Sequence, residues 1–231
     1  MTQQQAMQTT AKNDFVEIKY TGFANDQIFD SNIEEDAQKI NPKAKERKTV
    51  IVIGQGMVVS GLDKTLENKE IGKEYEISLT PKESFGDRKR ELIKTIPLSV
   101  FHGHNVLPRA GMLLTLDNML VKIVAVSGAR VTADFNNPLA GKKIKYKLTI
   151  SKKITDDKEK AESLFTFFLG FSPEFEMQEK SIKVKGPKNL ETLINHCKVK
   201  FQELLNKEII FEEAEEKEEK HEHKEDEEIK N

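Results

Sequence analysis

Residues capable of conventional chemistry are few in this chain and poorly grouped. His102 and His104 stand two apart around Gly103, and His221-Glu222-His223 lies near the end, so metal binding is the first chemistry to weigh. Tight metal sites need several His or Cys ligands converging on one ion. The second pair sits in a run of Glu and Lys without a cysteine, which reads as a solvated charged tail. The expectation is no metal and no other cofactor. Cys197 is the one cysteine, which excludes an intramolecular disulfide and a multi-cysteine zinc cage, suits a reducing interior, and reads as a small core residue. Asp30, taken alone before Ser31, starts a turn.

Composition narrows the classes. A chain of 231 residues, 37% hydrophobic and 33% charged, suffices for one large domain or two modest ones with their own cores. Net charge is only -2 and no compact Lys/Arg cluster is interleaved with aromatics, so nucleic acid is not an expected partner. The longest apolar stretches are far too short to span a bilayer, and a membrane is not expected either. Residues 1–13 are rich in Gln and Thr, lack a signal-peptide pattern, and read as a flexible arm on a cytoplasmic protein.

The elements that must position any site follow from periodicity. Phe15 to Thr21 alternates apolar and polar as a half-buried strand does, and Gly22 breaks it. Ile28 to Asn32 follows, then a long polar connection to Lys48. Thr49 to Ile53 is a continuous β-branched run, expected to be buried in a sheet. Leu62 and Leu66, four apart, predict a two-turn helix with one apolar side, and Glu74 to Leu79 alternates again before Pro81. After the basic hinge Arg88-Lys89-Arg90 come four brief strand candidates, Leu92–Ile96, Met112–Leu116, Val121–Val126 and Arg130–Phe135. The turn signals Gly111, Asp117-Asn118, Ser127-Gly128 and Asn136-Asn137-Pro138 separate or end them. Ile144 to Ile150 would return as the last strand of the first sheet. Asp156 N-caps a predicted helix with Ala161, Leu164, Phe165 and Phe168 on one face, ended by Gly170. A strand at Ser181–Val184, a helix opened by Pro187 with Leu190, Leu193, Ile194, Cys197, Phe201, Leu204 and Leu205 on one stripe, and a strand at Glu208–Phe211 complete an α+β unit.

In this order the residues resemble the FKBP family of peptidyl-prolyl cis/trans isomerases, in the SlyD-like kind that carries an insert in its flap. The marks are Tyr20, Phe29-Asp30 before Ser31, and Gly54-Gln55-Gly56-Met57-Val58-Val59-Ser60-Gly61-Leu62. Ser84-Phe85-Gly86, Asp134 to Gly141 with Leu139-Ala140-Gly141, and Tyr146 follow, so the resemblance covers Asp14 to Lys152. The appended C-terminal unit resembles the long archaeal type. The resemblance implies an α+β fold: an FKBP antiparallel sheet packed on a short helix, a small all-β domain inserted in the flap, and a C-terminal α+β domain. It divides the chain into a flexible arm over 1–13, a discontinuous isomerase domain over 14–87 and 138–153, an insert over 88–137, a C-terminal domain over 155–211 and an acidic disordered tail over 212–231.

The resemblance also implies an apolar isomerase pocket. Tyr20, Asp30 and Tyr146 would be its catalytic residues, and Phe29, Ile51, Met57, Val58, Val59, Leu62, Phe85 and Leu139 would hold the substrate. Leu62 replaces the tryptophan and Phe85 the tyrosine that many small members carry. On composition alone the aliphatic members of this set are ordinary core, and Tyr20 and Tyr146 are equally cross-strand packing residues. Leu98, Val100, Phe101, Val106, Leu107, Met112 and Leu113 of the insert form an expected surface for unfolded chains, or else the insert's own core. The expected partners are X-Pro peptides and unfolded or partly folded polypeptides. The apolar run Leu164–Phe171 points to a homodimer through the C-terminal domain. The implied activity is acceleration of proline-limited folding with chaperone binding. A holdase with a weak or vestigial pocket, and a metal-delivery protein, are the competing readings.

Overall fold

The computed structural model describes residues 8–103, 105–116 and 119–213. His104, Asp117-Asn118, residues 1–7 of the expected arm, and residues 214–231 of the expected tail, with His221 and His223, lie outside the described residues. The rest of the arm is not loose, since Thr10 is buried and its hydroxyl donates to the Leu66 carbonyl, and Glu212 and Glu213 belong to the last described strand. The chain divides into two compact units between Ile154 and Thr155.

In the first unit, β1 (Phe15–Ala24), β2 (Gln27–Ser31), a one-turn α1 (Glu34–Ala37), β3 (Val50–Val52), α2 (Ser60–Thr65) and β4 (Glu74–Leu79) precede the insert. Next come β5 (Ile93–Pro97), α3 (Leu98–Gly103), β6 (Leu113–Leu116), β7 (Met119–Ser127) and β8 (Arg130–Asp134), and β9 (Ile144–Lys153) closes the unit. β1 is the hinge of the first sheet: β9 lies along one edge, β3 and β2 share the other, and β4 flanks β9, all antiparallel. Alternation in β1 and β9 sends Val16, Ile18, Ile144, Tyr146, Leu148 and Ile150 into one core, which Leu62 and Leu66 complete from the α2 segment. Burial of this kind contributes roughly 1.5–3 kcal/mol per large side chain.

Gly22 does not end the first strand. β1 continues through it to Ala24 because pairing with β9 holds the backbone extended on that side. The missing side chain serves packing instead. A Cβ there would stand 2.7 Å from the Phe29 ring and 3.0 Å from that of Tyr146, so only glycine lets the two rings lie over the strand.

The insert's strands form a second sheet in the order β5-β8-β7-β6. Its core is Phe101, Val121, Ile123, Val131 and Ala133. The insert is not all-β, since Leu98–Gly103 is a helix. Leu98 and Phe101 stand three apart, a helical spacing, and both turn toward this core while Val100 stays exposed. The two chains of the neck between the sheets are tied together. Asn136 accepts from the Lys89 amide and donates to its carbonyl, the Gly141 amide donates to the Gly86 carbonyl, and Arg88 Nε donates to Asp134 at 3.0 Å.

The second unit runs α4 (Asp157–Leu169), β10 (Glu174–Met177), β11 (Ser181–Gly186), α5 (Lys188–Leu205) and β12 (Glu208–Glu213). The Asp156 carboxylate accepts from the Glu159 amide, and Gly170 ends α4 in the left-handed region. Phe165 packs on Phe201 with ring centroids 4.4 Å apart. Phe168 leaves the expected face and stacks edge-on against Phe167 in the last turn, and Leu193 is exposed as well. β10, which the sequence reading leaves out, pairs antiparallel with β11, and β12 pairs with β11 in parallel.

Candidate functional site

An open cavity of about 320 Å³ lies between the first sheet and α2. Eight of the eleven expected pocket residues line it: Tyr20, Asp30, Ile51, Met57, Val58, Val59, Leu62 and Tyr146. Phe29, Phe85 and Leu139 stand beside it, packed on the same core. The Phe29 ring meets Phe85 edge-on at 5.8 Å and Tyr146 at 6.0 Å, and Tyr20 meets Tyr146 at 6.2 Å. These are edge-to-face contacts, the arrangement aromatic quadrupoles favour. Leu62 and Ile51 are buried at the floor, whereas Met57, Val58 and Val59 are half-buried at the rim.

Register places the polar members. Gly22 pairs with Asp30 on one side and Tyr146 on the other, so three strands bring the aspartate and both phenols to one spot. The Tyr20 hydroxyl donates to Asp30 Oδ2 at 2.6 Å, and Arg47 Nη2 donates to Oδ1 at 3.2 Å. Burial, then the hydrogen bond to Asp30, holds the Tyr20 phenol well above its ordinary value. Burial, reinforced by the charge of Asp30, pushes Tyr146 up to about 12. Both phenols are therefore neutral donors at physiological pH. The Tyr146 hydroxyl has no hydrogen-bond partner among the described residues, and Phe85 has no hydroxyl to offer.

Several supporting residues escape the sequence reading. Asp63, on α2 and buried, accepts from the amides of Gly54 and Gly56, each at 2.8 Å. Both glycines have positive φ, and this grip holds the loop that presents Met57, Val58 and Val59. Asn32 bridges β1, accepting from the Tyr20 amide and donating to the Ile18 carbonyl. Ile18 and Thr49 also line the cavity. An acidic residue seven positions after a Gly-x-Gly turn was the available sign for Asp63. Arg47 gave none, being one cation in a polar connection.

Of the insert residues expected on a binding surface, Val100, Leu107, Met112 and Leu113 are exposed. Phe101 is not: it is 1% exposed and forms the insert's core, because α3 turns it inward. Leu98 and Val106 are half-buried against that core. Met119, Leu120, Val124 and Val126 add exposed apolar surface on the same sheet. Among the described residues no group of three or more His, Cys, Asp or Glu side chains is placed to hold a metal ion, and no helix is long and apolar enough to cross a membrane.

Comparison with known proteins matches sequence within the first unit. The family model for FKBP-type peptidyl-prolyl cis-trans isomerase matches residues 7–100, and that for the FKBP26 IF domain matches residues 94–139. The short-type peptidyl-prolyl cis-trans isomerase of Methanocaldococcus jannaschii is 30% identical over 142 residues, 60% of this chain and 90% of that protein. The SlyD isomerases of Haemophilus influenzae and Escherichia coli are 31% and 29% identical over 101 residues, 42% of this chain and 53% and 51% of theirs. The chain thus spans about half the length of these SlyD relatives. It belongs to the FKBP-type peptidyl-prolyl cis-trans isomerases, of the SlyD-like kind.

Proposed function

We propose that this isomerase accelerates proline-limited folding of polypeptide chains, with the insert as a binding module beside the pocket. The observation that carries the first half is the convergence of Tyr20, Asp30 and Tyr146 on an apolar cavity floored by Leu62 and Ile51. Rotation about a peptide bond meets a barrier of roughly 18–20 kcal/mol, because amide resonance must be broken. No bond is cleaved, so no nucleophile is required. The twisted amide has lost charge separation between its oxygen and nitrogen, and an apolar cavity favours it over the planar form. That is differential binding of the transition state.

Within this reading Phe29, Ile51, Met57, Val58, Val59, Leu62, Phe85 and Leu139 hold the proline and its neighbours. Asp30, oriented by the Tyr20 hydroxyl, supplies the one carboxylate at the cavity and orients the substrate amide. The Tyr146 hydroxyl, without a protein partner, donates to a substrate carbonyl, the task Phe85 cannot perform. Tyr146→Phe keeps the ring and removes that donor, so kcat/KM on an X-Pro tetrapeptide should fall about tenfold, one hydrogen bond's worth. Unchanged kcat/KM would remove Tyr146 from the mechanism. Asp30→Asn should lower it also, with Tyr20 left without its acceptor charge.

Exposed Val100, Leu107, Met112 and Leu113 support the binding half of the reading, since grouped apolar surface engages other chains. We propose that residues 88–137 act as this module within a 14–87 and 138–153 isomerase domain, and that the 155–211 domain pairs two copies through exposed Phe167, Phe168 and Phe171. The same apolar surface favours a second reading, a holdase whose pocket contributes little. It would suppress aggregation only near equimolar amounts, whereas an isomerase turns over at a small fraction of its substrate.

A further inference from the structure

A second open cavity, of about 340 Å³, adjoins the isomerase cavity and shares Asp30 with it. Its apolar walls are Phe29, Ala37, Ile40 and Ala44 and its polar rim includes Asn41, Lys45 and Arg47, with α1 and the connection after it supplying all of these but Phe29. The Asp30 carboxylate is the ridge between the two. One oxygen receives the hydroxyl of Tyr20, which lines the first cavity, and the other receives Arg47, which lines the second. Phe29 is likewise common ground, meeting Tyr146 and Phe85 with its ring while walling the second cavity.

Ile40 is 49% exposed at this cavity, although it is a large aliphatic residue on a polar connection. Ala37 is buried and Ala44 half-buried, so Ile40 is the large apolar side chain that this wall leaves open to solvent. The Arg47–Asp30 pair is solvent-exposed on both sides, and exposed ion pairs of this kind are weak, so the partition yields to a peptide main chain. In an extended peptide, residues two apart point to the same side of the chain. A chain with its proline in the first cavity therefore offers its next same-side residue across one side chain's width.

On the strength of the isomerase reading above, we infer that the cavity bounded by Phe29, Ile40, Ala44 and Arg47 is a substrate subsite that takes a large apolar side chain two residues from the proline. The occupant is part of the substrate itself, and the subsite sets sequence preference in place of catalysis.

Three X-Pro peptide series test this on the full chain: leucine two residues before the proline, leucine two residues after it, and alanine at both positions. The wild-type chain should isomerise one leucine series roughly tenfold faster in kcat/KM than the alanine series, the scale at which an apolar pocket discriminates side chains. Ile40→Asp should abolish that preference with the alanine series unchanged, and Ile40→Ala should weaken it. A wild-type chain with no preference, or an Ile40→Asp variant that slows all three series equally, overturns the subsite. Failure of the isomerase reading is a different result, in which the wild-type chain isomerises none of the peptides.

Discussion

The two sheets of the first unit present apolar side chains in opposite ways. In the isomerase cavity Tyr20, Phe29 and Tyr146 meet edge-to-face with two of the rings over Gly22, the Met57–Val59 loop is gripped by Asp63, and Asp30 accepts from the Tyr20 hydroxyl. In the insert, five residues form the core and the remaining large apolar side chains on its outer surface stand in solvent, two methionines among them. The first arrangement is preorganised, as a site must be if it binds a twisted amide better than a planar one. The second is adaptable, as suits a surface that meets many sequences. The difference teaches how the proposed function would divide its work within one unit, the insert capturing a chain and the cavity acting on it, with the neck keeping the two adjacent.

Substitutions sharpen this contrast in descending order of effect. Phe101→Ala removes the largest side chain of the small insert core and should cost about 3–5 kcal/mol, enough to unfold the insert. Calorimetry should then show a lost transition while tetrapeptide isomerisation persists; if the peptide activity falls too, the regions are not separable. Gly22→Ala drives a methyl into the Phe29 and Tyr146 rings and should destabilise by about 1–3 kcal/mol with loss of peptide activity. Gly103→Ala, with nothing near its Cβ, is the matched change in the insert and should leave both readouts alone.

The regions should also fail at opposite ends of the pH scale. Burial pushes the Asp134 carboxyl up, but hydrogen bonds from Asn136 and Arg88 outweigh it and hold it below the usual range. A lowered carboxyl stabilises above its unfolded value of about 4, so the neck should loosen as pH falls below that. The raised phenols of Tyr20 and Tyr146 stabilise below their unfolded value of about 10, and that support should drain away as pH climbs toward 12. Urea unfolding of wild type against Asp134→Asn at low pH, and against Tyr146→Phe at high pH, should show each difference shrink in its own window. Smallest of all, Leu107→Ser, at a residue 70% exposed, should change stability by less than about 0.5 kcal/mol yet weaken binding to an unfolded chain.

Alternation made most of the first sheet legible, because β4 and β9 each bury one face, and β1 buries one face along its length with Phe15 and Thr21 covered on the other. The pocket residues were legible only as an ordered set, since Val58, Val59 and Leu62 taken singly are indistinguishable from core. Gly22 was misread because a glycine that admits two rings looks like one that ends a strand. Phe101 was placed on the surface rather than in the insert's core because no element was read over Leu98–Gly103, where one short helix decides which side chains turn inward. Asp63 grips amides seven and nine residues before it and Arg47 a carboxylate seventeen residues before it, pairings that hydrophobic periodicity does not encode.

The most direct test of the account is refolding of a small protein limited by a trans-to-cis proline, with this chain present at roughly one part in a hundred. The full chain should accelerate it, and a chain in which a short turn replaces residues 88–137 should lose about a hundredfold of that acceleration, the scale of a lost tether. The shortened chain should still isomerise a tetrapeptide. No acceleration at that ratio, with aggregation suppressed only at equimolar protein, would contradict the account and leave a holdase in its place.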